Sequence, residues 1–377
     1  MPHGLFISHR GHLQSQGGGV QGCTREFQAV IEAAGIELTT VPVDHDRRLS
    51  TRLWRRIDSS PYLRPVAPKS LAEVISQIER SRPDFIFLNQ VALAAVARRL
   101  RKHASVATRI VLLSHGMEST DLIHQIRLRT SLPLSGYARP TATIAMGGIL
   151  LAEAALRPDV DVVVALSPFD VDLEHWIGTR RVDWLPRTIA APTLAWRPDA
   201  GRLGWVGTLD HAPNLDGLVA VLDVMPNTRR PDTSRIRVVG ESSRIGAWLK
   251  SRFANVEYLG RLSDDELRRE AATWSGFLHP IFRLPRGCST KLATAIGWRL
   301  PIVTTPQGRR GYIWREGSLL EAHDPETFVR HALALRDQAF AVSVRNEVER
   351  VAATSPTLPE VAARLRQILG LATALGA

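Results

Sequence analysis

Cysteine is scarce in this chain of 377 residues: Cys23 and Cys288 are the only two, far apart and without CxxC spacing. A disulfide framework and a structural zinc site both need more thiols than that. Long apolar runs are missing as well, and no stretch approaches the ~18 residues that would cross a bilayer. The start, Met1-Pro2-His3-Gly4, has neither a basic leader nor a small-residue cleavage site, so a cytoplasmic chain is expected. Internal repeats and low-complexity tracts are absent, as are the HExxH and GxSxG spacings of zinc and serine hydrolases. Lysine is rare too. Lys69, Lys102, Lys250 and Lys291 are the only four in a total of 48 Lys+Arg, set against 37 Asp+Glu for a net charge of +11. An arginine-favouring genome accounts for that excess, and so does a surface for phosphates, acidic lipid or nucleic acid. Composition leaves both open.

What is present is a regular alternation of short apolar runs and helical patterns, the signature of parallel α/β layers. Strands are expected at 4–9, 36–43, 84–88, 109–113 and 161–166. A helix is expected from Thr24, as N-cap, to Ala34, with Gly35 as its stop. Ser70 and Glu73 read as a capping box for a helix ending near Ser81. The stretch 117–143 suggests no clear elements. A second series has strands at 203–206, 236–239, 256–259, 276–278 and 302–304. It carries a capping box at Ser263 and Glu266 and an Asp324-Pro325 helix start. The aperiodic segment 187–200 separates the two. The expected organisation is a Rossmann-like domain over 1–187, a second over 201–356 and a closing helical segment over 357–377. The two domains face a cleft, with ligands beyond the carboxyl ends of the strands.

Four motifs suggest chemistry. Gly17, Gly18 and Gly19 lie in the first strand-to-helix turn, where bare amides and a helix start favour an anion; no Gly-Lys-Ser/Thr follows, so this is not a Walker loop. Arg286-Gly287-Cys288-Ser289-Thr290-Lys291 opens a helix with amides, two hydroxyls and a cation, a compact phosphate site whose bland alternative is an ordinary capped helix. His115 follows the strand ending at Leu113 and is placed to meet a ligand, although a lone histidine is more often a packing residue. Asp44-His45-Asp46 has the spacing of a metal-binding carboxylate pair and reads as a solvated loop in this two-domain context. The basic run 47–56 contains five arginines with Leu49, Leu53 and Trp54 among them, which as a helix suits anionic lipid. A second basic run spans Arg98 to Lys102. With no zinc finger, helix-turn-helix or aromatic-basic RNA motif, a nucleic-acid partner is not expected. An exposed basic face without a partner is the plainest reading of these runs.

In order and spacing, the second half resembles the group 1 glycosyltransferases, retaining sugar-nucleotide enzymes of GT-B fold. The matching segments are Val206 to Asn214, Val238-Val239-Gly240, Val256 to Arg261, Phe277-Leu278-His279-Pro280, Gly287 to Lys291, and Pro301 to Thr305 with Gly308. The resemblance implies transfer from a nucleotide-diphosphate sugar to the hydroxyl of a glycan or lipid-linked acceptor, without a metal or other cofactor. Gly207, Gly287, Ser289, Thr290 and Lys291 would hold the diphosphate, Gly17 to Gly19 would cover it, and His115 would line the cleft. The family carries two glutamates with seven residues between them. Arg286 and Thr294 stand at those positions, which makes Arg286 a second candidate catalytic residue and Thr294 a donor contact. The family's Arg-Lys pair after Gly207 is also missing, so Lys291, Arg261 and Arg283 are candidate replacements. A GT-B epimerase and a non-catalytic GT-B partner are the alternatives the resemblance leaves. Peripheral contact with the inner face of an anionic membrane is the expected setting.

Overall fold

Two six-stranded sheets, every strand pairing parallel, make up two lobes of the protein. The computed structural model describes residues 1–14, 18–51, 53, 62–63, 65–128, 131–134, 142–189, 192–226 and 234–371. The first sheet comprises β1 (His3–His9), β2 (Glu37–Val43), β3 (Phe85–Asn89), β4 (Arg109–Leu113), β5 (Val162–Ala165) and β6 (Val182–Trp184), in the order β2-β1-β3-β4-β5-β6. The second comprises β7 (Asp199–Val206), β8 (Arg235–Val239), β9 (Val256–Gly260), β10 (Trp274–Leu278), β11 (Ile302–Thr304) and β12 (Leu320–Glu321), in the order β12-β11-β10-β7-β8-β9. Strands β3 and β5 are buried at every residue, which explains their apolar sequences, broken only by Asn89 at the end of β3: helices cover both faces of a parallel sheet. Chain order reverses beside β1 in one lobe and beside β7 in the other. The loops leaving β1, β3, β7 and β10 therefore border the crevices where such sheets bind ligands.

Local expectations differ from the structure at helix starts. The first helix, Gly19–Ala33, begins before Thr24 because Gly18 takes the extended N-cap conformation. Thr24 is instead buried inside it, donating to the Val20 carbonyl at 2.9 Å. Ser70 caps nothing: its helix, Pro68–Ser81, starts on a proline, and the hydroxyl accepts the Asp44 backbone N–H at 3.1 Å. The box at Ser263 and Glu266 forms in full, and Asp324 accepts from Thr327 as an N-cap. The stretch that suggested no elements contains the helix Glu118–Leu128. No helix among the described residues is long and apolar enough to cross a membrane.

The last described helix, Leu358–Ile368, returns to the first lobe. Val361, Ala362, Leu365 and Ile368 join Phe27 and Ile31 of the first helix in one core, and Arg366 donates to the Ala34 carbonyl at 2.6 Å. Leu365 is 1% exposed. Leu365→Ala should lower stability by about 3 kcal/mol, through lost burial and the cavity left behind; a urea midpoint close to the parent's would show that this helix contributes little to the first lobe's core.

Candidate active site

The turn after β10 is held from below by side chains of its own lobe. His279 bridges two hydroxyls, with Nε2 2.8 Å from Ser289 Oγ and Nδ1 2.9 Å from Thr304 Oγ1. Burial, with help from Lys291 and Arg310, pushes its pKa down to about 3, so it is a neutral hydrogen-bonding group. Arg310 donates to the carbonyls of Pro285 and Arg286 at 2.8 and 3.1 Å, and Tyr312 donates to that of Ser289 at 2.7 Å. With its carbonyls occupied in this way, the turn leads into the helix Thr290–Gly297, whose N-cap Ser289 makes no side-chain cap bond. The first amides of a helix have no partner within it, and the helix field there favours an anion.

The first lobe meets this turn backbone to backbone. Gly116 (φ +90°) and Gly287 (φ +58°) are so close that a Cβ on Gly116 would lie 2.2 Å from the Gly287 nitrogen, and one on Gly287 would lie 2.3 Å from the His115 carbonyl oxygen. Only glycine combines these dihedrals with that approach. The Gly287 N–H points to Asp170 Oδ1 at 3.4 Å across the lobes. A Cβ on Gly19, at the start of the first helix, would lie 2.7 Å from Thr290 Oγ1, so two helix N-termini meet at the cleft. Beside them His115 is 8% exposed. Its Nε2 lies 2.8 Å from Asn89 Oδ1, and the Asn89 amide nitrogen is committed to Ser8 and Thr24. Nε2 therefore carries the proton, leaving Nδ1 as an acceptor. Burial, then the charge of Arg286, lowers its pKa to about 3.

Lys291 differs from every other cation here. Its ammonium lies 5.8 Å from the centre of the Trp205 ring and 3.0 Å from where a Gly207 Cβ would be, so Gly207 makes room for it. Among the described residues no carboxylate or hydrogen-bond acceptor pairs with it. Burial alone holds its pKa down at about 8. A half-buried ammonium without a partner beside bare helix amides suits an anion.

Comparison with known proteins agrees with this geometry. The family described as Glycosyl transferases group 1 matches residues 200–338. Residues 200–338 are a group 1 glycosyl transferase domain. No curated protein matches the sequence significantly. Among solved structures, sucrose-phosphate synthase from Thermosynechococcus elongatus is similar at 16% identity and a TM-score of 0.65, covering 98% of each chain. Anabaena HepE, solved with UDP and glucose, is similar at 12% identity and a TM-score of 0.62, over 98% of this chain and 100% of that one. WaaG, a glycosyltransferase involved in lipopolysaccharide biosynthesis, gives 16% identity and 0.57 over 97% and 100%. The fold is GT-B, and the chain is a glycosyltransferase.

In this glycosyltransferase Arg286 is an inter-lobe tie. Its guanidinium pairs with Glu118 and, at 3.0 Å, with Asp121; its backbone N–H also donates to Asp121, at 3.0 Å. His211 reaches Asp121 at 3.1 Å. Burial pushes the Asp121 carboxyl up, but His211 and Arg286 overcome it and hold its pKa near 2. The family's glutamate position thus carries a cation, and two carboxylates from the opposite lobe face it. Thr294 donates to the Thr290 carbonyl at 3.1 Å within its helix. Arg283 pairs with Asp216 at 2.7 Å, and Arg261 is exposed beside Glu241 at 3.6 Å after edge strand β9. Gly17, and Arg52, Trp54, Arg55 and Arg56 of the first basic run, lie outside the described residues.

The Asp44-His45-Asp46 loop is solvated at Asp44 and His45, as expected, but not at Asp46. Asp46 is 2% exposed, accepts from Arg48 and Thr51, and is held below the usual carboxylate range mainly by Arg48. Asp44 pairs with Arg10, and the His45 ring stacks on His9 at 3.7 Å. Sequence reasoning also missed Asn89, Asp170, Glu118, Asp121, Trp205 and Arg310 as parts of the site. The inter-lobe backbone contact makes a sharp expectation. Gly116→Ala should force the lobes apart, raising the radius of gyration in solution scattering and lowering the melting temperature; an unchanged scattering curve would rule out the close approach.

Proposed function

We propose that this glycosyltransferase moves a sugar from a nucleotide-diphosphate sugar to an acceptor hydroxyl with retention at the anomeric carbon. The second lobe binds the donor and the first receives the acceptor. The observation carrying this reading is the unpaired, half-buried Lys291 ammonium at a helix start that faces a second helix start. A diphosphate supplies the missing counter-charge. Chemically, transfer needs stabilisation of a pyrophosphate leaving group while positive charge develops on the sugar, and fixed amides and an ammonium do this without reorganisation. The amides of Gly287 to Lys291, with the Ser289 and Thr290 hydroxyls, hold the phosphates, and Gly18 and Gly19 cover them. His115, neutral with Nδ1 free to accept, orients a hydroxyl of the transferred sugar. In retention the acceptor hydroxyl attacks the face from which the phosphate departs, and a closed cleft limits hydrolysis. Arg286 positions the turn through its carboxylates. No residue is assigned to a metal or other cofactor.

The acceptor is a glycan or lipid-linked hydroxyl in bacterial-type glycan assembly, met in the cytoplasm in peripheral contact with an anionic membrane. The similarity to WaaG, a glycosyltransferase involved in lipopolysaccharide biosynthesis, supports the glycan-assembly part of that reading. UDP is the nucleotide to try first, because HepE was solved with it.

Lys291→Met tests the donor site. It should weaken binding of a nucleoside diphosphate by about a hundredfold, the loss of a charged hydrogen-bonding partner, while raising the stability of the nucleotide-free protein by up to about 3 kcal/mol, because a half-buried ammonium held below its ordinary pKa disfavours the fold at neutral pH. Equal affinity in calorimetry would remove the phosphate role. The pH dependence has a definite sign. The ammonium binds, and it loses its proton through pH 8. Affinity should therefore be flat below pH 7 and fall by up to tenfold per unit above pH 8. His115→Ala should lower kcat/KM by about 10–100-fold through one lost hydrogen bond. With the His115 pKa near 3, the parent should show no titration of His115 between pH 5 and 8. A rate unchanged by that substitution would leave His115 a packing residue.

A further inference from the structure

The helix Ala142–Leu156 has an unusual surface. Of its fifteen residues only Glu153 is ionisable, and Glu153 points inward, fully buried, accepting from the Tyr62 hydroxyl at 2.6 Å and the Ser119 hydroxyl at 2.5 Å. The outward positions are Ile144, Gly147, Gly148, Leu151 and Ala155, spaced as one stripe of a helix. Ile144 is 77% and Leu151 73% exposed, and nothing lies within 4 Å of where a Cβ on either glycine would be. A solvent-facing helix normally carries charge on its outer side; this one carries none.

Cations gather near the C-terminal end of the stripe. The helix runs into the 3-10 turn Arg157–Asp159, which packs against the helix Ala97–Arg101 and is tied to it by Arg98 and Asp159 at 3.4 Å. Arg98, Arg99 and Lys102 are exposed there. The helix Glu118–Leu128 also packs against the apolar helix, with Ile123 and Arg127 exposed. An apolar strip with basic side chains near it is complementary to acyl chains bordered by anionic headgroups. At 1.5 Å per residue the helix is about 22 Å long, too short to span the hydrocarbon core and long enough to lie along its boundary.

We propose that the helix Ala142–Leu156 is the membrane-docking element of this glycosyltransferase. It lies in the interface of an anionic bilayer, with Ile144 and Leu151 inserted and Arg98, Arg99 and Lys102 on the headgroups. This deepens the membrane part of the reading above and is independent of the donor part. The same contacts link the surface to the cleft: Glu153 holds Ser119, the neighbour of Glu118, which pairs with Arg286. A lipid-linked acceptor is thereby delivered one helix away from the cleft.

The test is sedimentation with vesicles of phosphatidylcholine alone or with 30% phosphatidylglycerol, for the parent, for Ile144→Glu/Leu151→Glu and for Arg99→Gln/Lys102→Gln. Glutamate keeps the helix propensity, and both apolar sites are solvent-facing, so melting temperature and UDP binding should match the parent's. The parent should bind the anionic vesicles only, each double variant should lose at least about tenfold in partitioning, and 0.5 M salt should weaken the parent's binding. Parent binding to neither vesicle overturns membrane contact altogether. Parent binding that both variants retain overturns this surface while leaving membrane contact standing elsewhere. Concentration-dependent dimerisation of the parent, lost in Ile144→Glu/Leu151→Glu with vesicle binding unchanged, would assign the stripe to a second copy of the chain and likewise overturn the proposal.

Discussion

A half-buried ammonium without a counter-charge is the constraint around which the cleft is organised. Lys291 could have been neutralised by a nearby carboxylate, as Arg283 is by Asp216 and Arg237 by Glu270. Instead its surroundings are a tryptophan ring, Gly207 and a helix start. Each of those features increases affinity for an anion or makes room for one. The histidine nearest in chemistry, His279, is kept neutral and given to Ser289 and Thr304, so it fixes the turn without competing for the anion.

Arg286 shows the opposite solution a few residues away. Its charge is equally buried, yet two carboxylates and a histidine-linked network from both lobes surround it. Breaking such a pair strands a charge, and that makes it a costly contact to lose and a specific one to form. The contrast separates the two: the compensated cation ties the lobes, and the uncompensated one leaves a positive charge open to an anion. The Gly116 and Gly287 backbones can touch because this tie and the Asp170 carboxylate draw the turn toward the first lobe.

Much of the fold was legible because buried parallel strands announce themselves as apolar runs between glycines and caps. Leu5, Phe6 and Ile7, or Val162 to Ala165, have no other soluble reading. Helix starts were less legible, since Thr24 and Ser70 are cap residues by type but were drawn into tertiary contacts with Asn89 and Asp44. Arg286, Lys291 and His115 stood out by residue type, whereas Glu118 and Asp121 lay in a stretch with no periodic signal. Their importance is visible only from Arg286, which is distant in sequence. The spacing of Gly17, Gly19 and Gly22 is itself G-x-G-x-x-G, a local signal for a helix start with accessible amides. Asp46 was misread because a carboxylate pair in a loop looks solvated until Arg48 and Thr51 fold over it.

The helix Glu118–Leu128 joins these themes. Its first turn supplies the carboxylates that hold Arg286, and Ser119 in the same turn donates to Glu153 of the apolar helix beside it. Glu153 is the one polar pin on that helix, so its inner face is fixed by hydrogen bonds to Tyr62 and Ser119, not by packing alone. The carboxylates that hold Arg286 and the helix with the exposed apolar stripe therefore meet through one pair of neighbours, Ser119 and Glu153.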